Sequence, residues 1–455
     1  MAEDDFVREV VASCKARPLN TVAASSKHDI LQSLPLMASV DPQVLRLKIT
    51  TCAGYMASAS TSTSTSTSPP PPSPVVSERH VDESWMEVEV PFSTDEILQQ
   101  GWCGLGGNSP LRLGRWFSTL DSLTAEVAYR HVYGPNHAQQ ERGGNLVTAG
   151  HYDSALLGDF SLENDLVIRC YVVAVGRTSV EVRTDVYCAD VLTTFAHTAM
   201  VNVNHSGRPM PVPGLVLDQD DPSAEARQRL AERLQGRRRT RRQTTMGLRE
   251  VSKPPTSDEM VIVHQLLKKA VQLRETEGSA ALTNFRLMRD SEMKSSMVVY
   301  SEQRNMFGSL FGGFIAQHAF ELAELTAFAF NGKIPVFLGF DEMLFRKAVN
   351  IGDVVRMTAR CVHTHGRVMR ILVTVQVANP RDLERQSQTN KLQFVFLQPH
   401  SKVLEIIPDS YEECIMFLEA RRWQNERGPE EILVNGQTSM NHGHNSPKLG
   451  GGSRL

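Results

Sequence analysis

The sequence predicts an α+β fold in which two similar domains each wrap an antiparallel sheet around one buried helix. Apolar and polar residues alternate with a period of two in the strand-forming segments, for example over 180–186. The two halves of the chain also share a spacing, because Asp153 and Asp165 are twelve residues apart, as are Asp341 and Asp353. A domain duplicated at an offset of 188 residues accounts for this spacing, whereas a solenoid repeats every roughly 20 to 50 residues.

One long apolar helix precedes the strands in each half. Apolar residues recur around the helix from Gly313 to Phe330 in the second half, and from Leu113 to Ala128 in the first. A helix that is apolar nearly all round has to be buried inside a fold. We therefore expect one central helix per domain, covered by the strands that follow it.

Length and composition limit the class of protein. The 455 residues exceed what one hydrophobic core organises and indicate two or three domains. A net charge of −3 gives no global basic field for nucleic acid. No stretch is long and apolar enough to predict a membrane-spanning helix. Seven scattered cysteines without a C-x-x-C pair indicate a reducing compartment and no zinc site.

Composition divides the chain into five segments. Residues 1–84 are predicted to be a disordered or transit-like segment with a Ser/Thr/Pro spacer, and residues 424–455 a disordered tail. The two domains are expected at 85–208 and 257–423, joined by a Pro/Arg-rich linker at 209–256. The linker arginines could bind RNA in a strongly salt-dependent manner, but no aromatic residues are interleaved for base stacking.

The most specific motif precedes the second helix. It reads Asn-x-x-Gly-x-x-x-Gly-Gly over residues 305–313, and Glu321 follows eight residues later. It resembles the helix start of the hotdog-fold acyl-CoA thioesterases. In the first half, residues 113–115 and Asp121 resemble the first hotdog domain of a two-hotdog branch, the acyl-coenzyme A thioesterase 9-like proteins. The similarity covers both predicted domains and not the two low-complexity ends.

The resemblance implies tandem hotdog domains, each with a long central helix wrapped by an antiparallel sheet, paired as an intramolecular pseudo-dimer. It implies hydrolysis of acyl-CoA to free fatty acid and coenzyme A by water activated between the domains. Coenzyme A is part of the substrate, so no cofactor and no metal are expected. The branch is mitochondrial in animals and its double hotdogs commonly assemble further, which implies a mitochondrial homo-oligomer. Four acidic residues among the first nine leave a cytosolic location as the alternative.

Thioester hydrolysis needs a donor that polarises the carbonyl and a carboxylate that orients or deprotonates water. In the resembled family, the acid of one domain meets the Asn of the other. The resemblance therefore implies Asp121 as the base or water-orienting group and Asn305 as its water or carbonyl partner. A glycine-rich helix start offers free backbone N–H groups to an oxyanion. These donors are expected at Gly308, Gly312, Gly313 and Phe314.

A second candidate acid, Glu321, has the matching place in the other domain. The first half lacks the Asn-x-x-Gly-x-x-x-Gly-Gly motif and offers only Asn108 and a lone Gly114. We expect this second site to be weaker or vestigial. The phosphates of coenzyme A require cationic groups near the pocket mouth, for which Arg346 and Lys347 are the candidates.

Other readings of the sequence remain open. A catalytically silent acyl-CoA-binding or scaffold protein would keep this fold, since fold alone does not establish activity. An enoyl-CoA hydratase resembles a pattern with Asp five residues before His, and no histidine here has that spacing. We expect His131, His151 and His197 to be structural, because no G-x-S-x-G nucleophile motif accompanies them.

Overall fold

The structure is a computed structural model. It describes residues 77–105, 111–135, 137, 143–158, 160–216, 232, 254–275, 284–303, 309–345, 348–399 and 401–427, with two strands near the N-terminus, 19–22 and 48–52. Within these ranges, no helix is both long and apolar enough to cross a membrane.

The first domain surrounds one long helix. Its elements are β1 (Leu19–Val22), β2 (Lys48–Cys52), β3 (Glu78–His80), β4 (Met86–Val90), α1 (Glu96–Trp102), α2 (Leu113–Tyr133), β5 (Asn145–Leu156), β6 (Leu166–Val175), β7 (Ser179–Cys188), β8 (Val191–Val203) and β9 (Gly214–Val216). Helix α2 is buried over most of its length, as its apolar sequence predicts.

The second domain repeats this order. Its elements are α3 (Ser257–Glu275), β10 (Phe285–Leu287), β11 (Met293–Val298), α4 (Gly312–Asn331), β12 (Val336–Leu344), β13 (Val354–His365), β14 (Val368–Asn379), β15 (Asp382–Leu397), β16 (Glu405–Ile407) and α5 (Tyr411–Arg427). The central helix α4 ends at Gly332, whose φ of 68° is the left-handed conformation that glycine adopts without strain. Helices α3 and α5 pack on each other beside this domain.

One twelve-stranded sheet joins the two domains, in the order β1-β2-β4-β6-β7-β8-β5-β12-β15-β14-β13-β11. The joint is the antiparallel pair β5–β12, which aligns His151 with Met343 and Ala155 with Gly339. An offset of 188 residues carries His151 onto Gly339 and Ala155 onto Met343, so it maps the first pair onto the second. The joint is therefore a pseudo-twofold, and the predicted fold of two paired hotdog domains is confirmed.

The two central helices pack against each other inside the sheet. Phe117 of α2 is fully buried in the core of the second domain, where its ring centroid is 5.2 Å from that of Phe320 on α4. It also contacts the rings of Phe340 and Phe394 from the surrounding strands. Burial of one such side chain contributes about 1.5 to 3 kcal/mol, so this aromatic cluster holds the domains together.

The observed elements refine the predicted boundaries. Strands β1 and β2 lie within 1–84, the segment predicted to be disordered or transit-like, and β2 pairs with β4. Strand β3 precedes the predicted start at 85 and pairs with β9, the beginning of the predicted linker. Helix α3 begins at Ser257, where the second domain was expected. The Ser/Thr/Pro spacer and the tail after 427 lie outside the described residues. So does the linker over 217–253, apart from Glu232.

Candidate active site

Asp121 connects the two domains. It lies on α2 with 1% of its surface exposed. Its Oδ2 accepts a 2.7 Å hydrogen bond from the backbone N–H of Gly313, in the first turn of α4. Its Oδ1 accepts a 2.8 Å bond from the hydroxyl of Thr148 on β5. A buried carboxylate thus faces the positive end of the other domain's helix.

A histidine lies beside the same carboxylate. The Nε2 of His151 on β5 is 3.5 Å from Oδ1 of Asp121. The Nδ1 of the same ring is 2.8 Å from the hydroxyl oxygen of Thr198 on β8. The ring of Phe345 covers the imidazole edge-on, with 5.7 Å between the ring centroids. We call Asp121, Thr148, His151 and the start of α4 the Asp121 half-site.

Two glycines allow α4 to approach Asp121. A Cβ on Gly313 would lie 2.9 Å from the Cα of Ser118 and 2.9 Å from the Cβ of Asp121. A Cβ on Gly312 would lie 3.1 Å from Oδ2 of Asp121. Any larger residue at position 313 would therefore separate the carboxylate from the helix.

The N–H groups at the start of α4 differ in what they bind. Phe311 donates to the carbonyl of Gln303 at 3.1 Å, and Phe314 donates to the carbonyl of Phe311 at 3.2 Å. Gly313 donates to Asp121. No described residue accepts from the N–H of Gly312. Of the backbone donors predicted for an oxyanion, Gly313 and Phe314 are therefore engaged within the protein, because helix-start N–H groups pair with the nearest acceptor.

The second candidate acid lies in a related but different setting, which we call the Glu321 half-site. Glu321 of α4 faces the start of α2, and a Cβ on Gly114 would lie 2.7 Å from its Cγ. Its Oε1 is 2.8 Å from both Nε and Nη2 of Arg112. Gln317 also donates to Oε1, at 3.2 Å. Glu321 is therefore paired with Arg112, and its side chain is 27% exposed.

A third carboxylate adds to this side. Burial and then the negative charge of Glu321 raise the pKa of Glu324 to about 7, against the opposing effect of Arg112. The Glu321 half-site thus holds two acids and one guanidinium.

The structure brings some of the predicted site residues together. Asp121, Gly312 and Gly313 meet across the domain contact. The half-buried ring of Phe314 packs on His318 of the next helical turn, with 4.0 Å between the ring centroids. The remaining predicted residues lie outside the described parts of the chain: Asn305, Gly308, Asn108, Arg346 and Lys347.

Three residues around the two acids were not predicted to be functional: Thr148, His151 and Arg112. A signal for His151 was present in the sequence, because the offset of 188 residues places Gly339 at the equivalent position. Thr148 and Arg112 gave no such signal. Their partners lie 27 and 209 residues away, so only the packed domains show the contacts.

Residues 307–384 match the family model of the thioesterase superfamily. More particularly, the chain is similar to human mitochondrial acyl-coenzyme A thioesterase 9, with 26% identity over 78% of this chain and 80% of the relative. It is also similar to chloroplastic acyl-coenzyme A thioesterase 2 of Humulus lupulus, with 27% identity over 72% and 77% of the two chains. The resemblance predicted from the sequence is confirmed.

Among solved structures, an acyl-CoA hydrolase from Staphylococcus aureus matches with a TM-score of 0.31 and 16% identity. The match covers 35% of this chain and 98% of that chain.

Proposed function

We propose that this chain hydrolyses acyl-CoA thioesters to the free acid and coenzyme A at the Asp121 half-site. The observation that carries the site assignment is the hydrogen bond from Gly313 N–H to Asp121 across the domain contact. A buried carboxylate thus lies beside a helix start. The carboxylate can orient a water molecule there, and the backbone N–H groups can stabilise an oxyanion. The names of the relatives support the substrate class.

In this mechanism, Asp121 orients a water molecule and takes its proton as the water oxygen attacks the thioester carbonyl. The N–H of Gly312 and the positive end of α4 stabilise the oxyanion that forms. The C–S bond then breaks, and the thiolate of coenzyme A receives the proton held by Asp121. Gly313 keeps the carboxylate in place and does not bind the oxyanion. Asn305 is the proposed partner of the water or the carbonyl.

The other predicted features complete the proposal. The reaction needs no cofactor, and Arg346 and Lys347 are proposed to contact the phosphates of coenzyme A. The mammalian relatives are named as mitochondrial, so we propose import into mitochondria, which a fluorescent fusion expressed in cells would test. We also propose a homo-oligomer. Light scattering that gives the mass of a single chain would contradict it.

The function is tested by measuring free thiol release from a panel of acyl-CoAs by the full-length protein and by Asp121→Asn. We expect hydrolysis by the wild type and a loss of about 100-fold or more in the variant, the size of a general-base contribution. Asp165→Asn is the matched control, because Asp165 is an Asp on the first domain that accepts from the N–H of Ser93, away from the domain contact. Acyl-CoA binding without hydrolysis of any panel member would instead support a silent binding protein.

A further inference from the structure

His151 is fully buried, and its surroundings raise the question of what its second ring nitrogen does. Nδ1 contacts Thr198. Nε2 has no partner within hydrogen-bond geometry among the described residues, and it points to Asp121, whose Oδ1 is 3.5 Å away. A buried ring nitrogen without a partner is unfavourable, so this short separation is significant.

The fold itself does not require an imidazole here. The equivalent position in the second domain is Gly339, in the same central strand pair. Strand β12 keeps its pairing with β5 and β15 around that glycine. The histidine therefore distinguishes the half-site that contains Asp121 from the one that contains Glu321.

We propose that His151 is a positioning residue for the hydrolysis, which donates from Nε2 to Asp121 and keeps the carboxylate aimed at the water site. The inference rests on the proposed function. With Nε2 as the donor, Nδ1 carries no hydrogen and accepts from the hydroxyl of Thr198. Thr148 and Gly313 supply the other two donors to Asp121, so the carboxylate receives three donors from two segments of the chain, β5 and the start of α4.

Few other groups can titrate near this pair. The described groups that face the imidazole are Asp121 from α2, Thr198 from β8 and the ring of Phe345 after β12. Those that face Asp121 are Thr148 and His151 from β5 and the start of α4. Asp121 and His151 are the titratable members of this set within the described chain. A donor to the ionised carboxylate resists its protonation.

The test compares His151→Phe with His197→Phe in the full-length protein. His197 is the matched control, because it is also a buried histidine of the first domain but stacks on Tyr152. In His151→Phe we expect kcat to fall about tenfold with KM changed less than about twofold, and the loss of activity on acidification to begin about one pH unit higher. His151→Gln retains an N–H near the Nε2 position and is expected to restore most of both effects.

Several results would overturn the inference. One is a pH profile and kcat of His151→Phe that match the wild type, and another is an equal change in His197→Phe. Infrared titration tests the same contact without turnover, because the carboxylate band that Asp121→Asn removes should disappear at a higher pH in His151→Phe. If the wild type hydrolyses no acyl-CoA, the proposed function fails, and the infrared titration still decides whether His151 holds Asp121. Unchanged band behaviour in a folded variant would contradict the inference.

Discussion

The two half-sites share a backbone plan and differ in what surrounds the acid. In both, a carboxylate on one central helix lies against a glycine at the start of the other. Asp121 is buried and receives bonds from a backbone N–H and a hydroxyl. Glu321 is partly exposed and forms an ion pair with Arg112. The duplication therefore produced two positions for an acid, and side chains from neighbouring segments give them different chemistry.

We propose that the Glu321 half-site is a duplicated site that kept its fold and lost its function. Arg112 contacts Oε1 of Glu321 through both Nε and Nη2. The side chain of Glu321 still lies against Gly114 at the start of α2. We therefore expect one productive site per chain.

The largest difference between the half-sites should come from the glycine at each helix start. An added Cβ at position 313 meets the Cα of Ser118 and the Cβ of Asp121, neither of which can move freely. We expect Gly313→Ala to lower kcat/KM about 100-fold, the effect of a displacement near 1 Å. Gly114→Ala meets only the flexible side chain of Glu321 and should keep near-wild-type activity. Equal losses in the two variants would contradict the difference between the half-sites.

The next effect is on stability and concerns the contact between the two central helices, which both half-sites share. Phe117→Ala removes a fully buried ring from the aromatic cluster between the domains. We expect the free energy of unfolding to fall by about 3 to 5 kcal/mol, measured by urea denaturation. Ile97→Ala, at an exposed apolar position of the same domain, is the control and should change it little. If the free energy of unfolding falls only slightly in Phe117→Ala, contacts other than this aromatic cluster hold the domains together.

A smaller effect is expected in how the stability of the Glu321 half-site depends on pH. The pKa of Glu324, about 7 in the folded chain, is above the ordinary value of 4.5. Relative to Glu324→Gln, the wild type therefore has its full stability below about pH 4.5 and loses it as pH rises through 7. Above pH 7 we expect the variant to be more stable by about 1 to 2 kcal/mol, discounted for the partial exposure of the group. Thermal unfolding at pH 4 and pH 8 measures this. A difference that is the same at both pH values would show that Glu324 does not titrate between them.

The smallest effect is expected at the ion pair. Arg112→Ala should change the free energy of unfolding by less than about 1 kcal/mol, because the pair is partly exposed. It should also raise the pKa of Glu324, which Arg112 lowers. In the Asp121→Asn background, Arg112→Ala should not restore hydrolysis, because the start of α2 also lacks the Asn-x-x-Gly-x-x-x-Gly-Gly motif. Restored thiol release would show that Arg112 alone silences the Glu321 half-site.

The sequence was sufficient for the fold, because a duplication leaves matched spacings. Asp153 and Asp341 gave the offset that the β5–β12 register reproduces. The apolar periodicity gave both central helices. The domain boundaries stay a prediction. The three-residue strands β3 and β9 lie outside the predicted first domain, and their pairing with each other cannot be seen from the local sequence.

The candidate site was predictable in part. The placement of Asp121 against the start of α4 follows from the resemblance together with the position of the acid on its helix. The contacts of Thr148, His151 and Arg112 depend on how side chains meet between packed segments, and sequence spacing does not contain that information. The role of Asp121 in turnover remains a prediction.

The central claim is that Asp121 acts and Glu321 does not. The most direct test is kcat for Asp121→Asn and Glu321→Gln, measured with the same acyl-CoA and with circular dichroism as a check on folding. We predict a loss of about 100-fold or more in Asp121→Asn and at least half of wild-type kcat in Glu321→Gln. A folded Asp121→Asn that keeps its activity while Glu321→Gln loses it would move the site to the other half of the molecule and contradict the account.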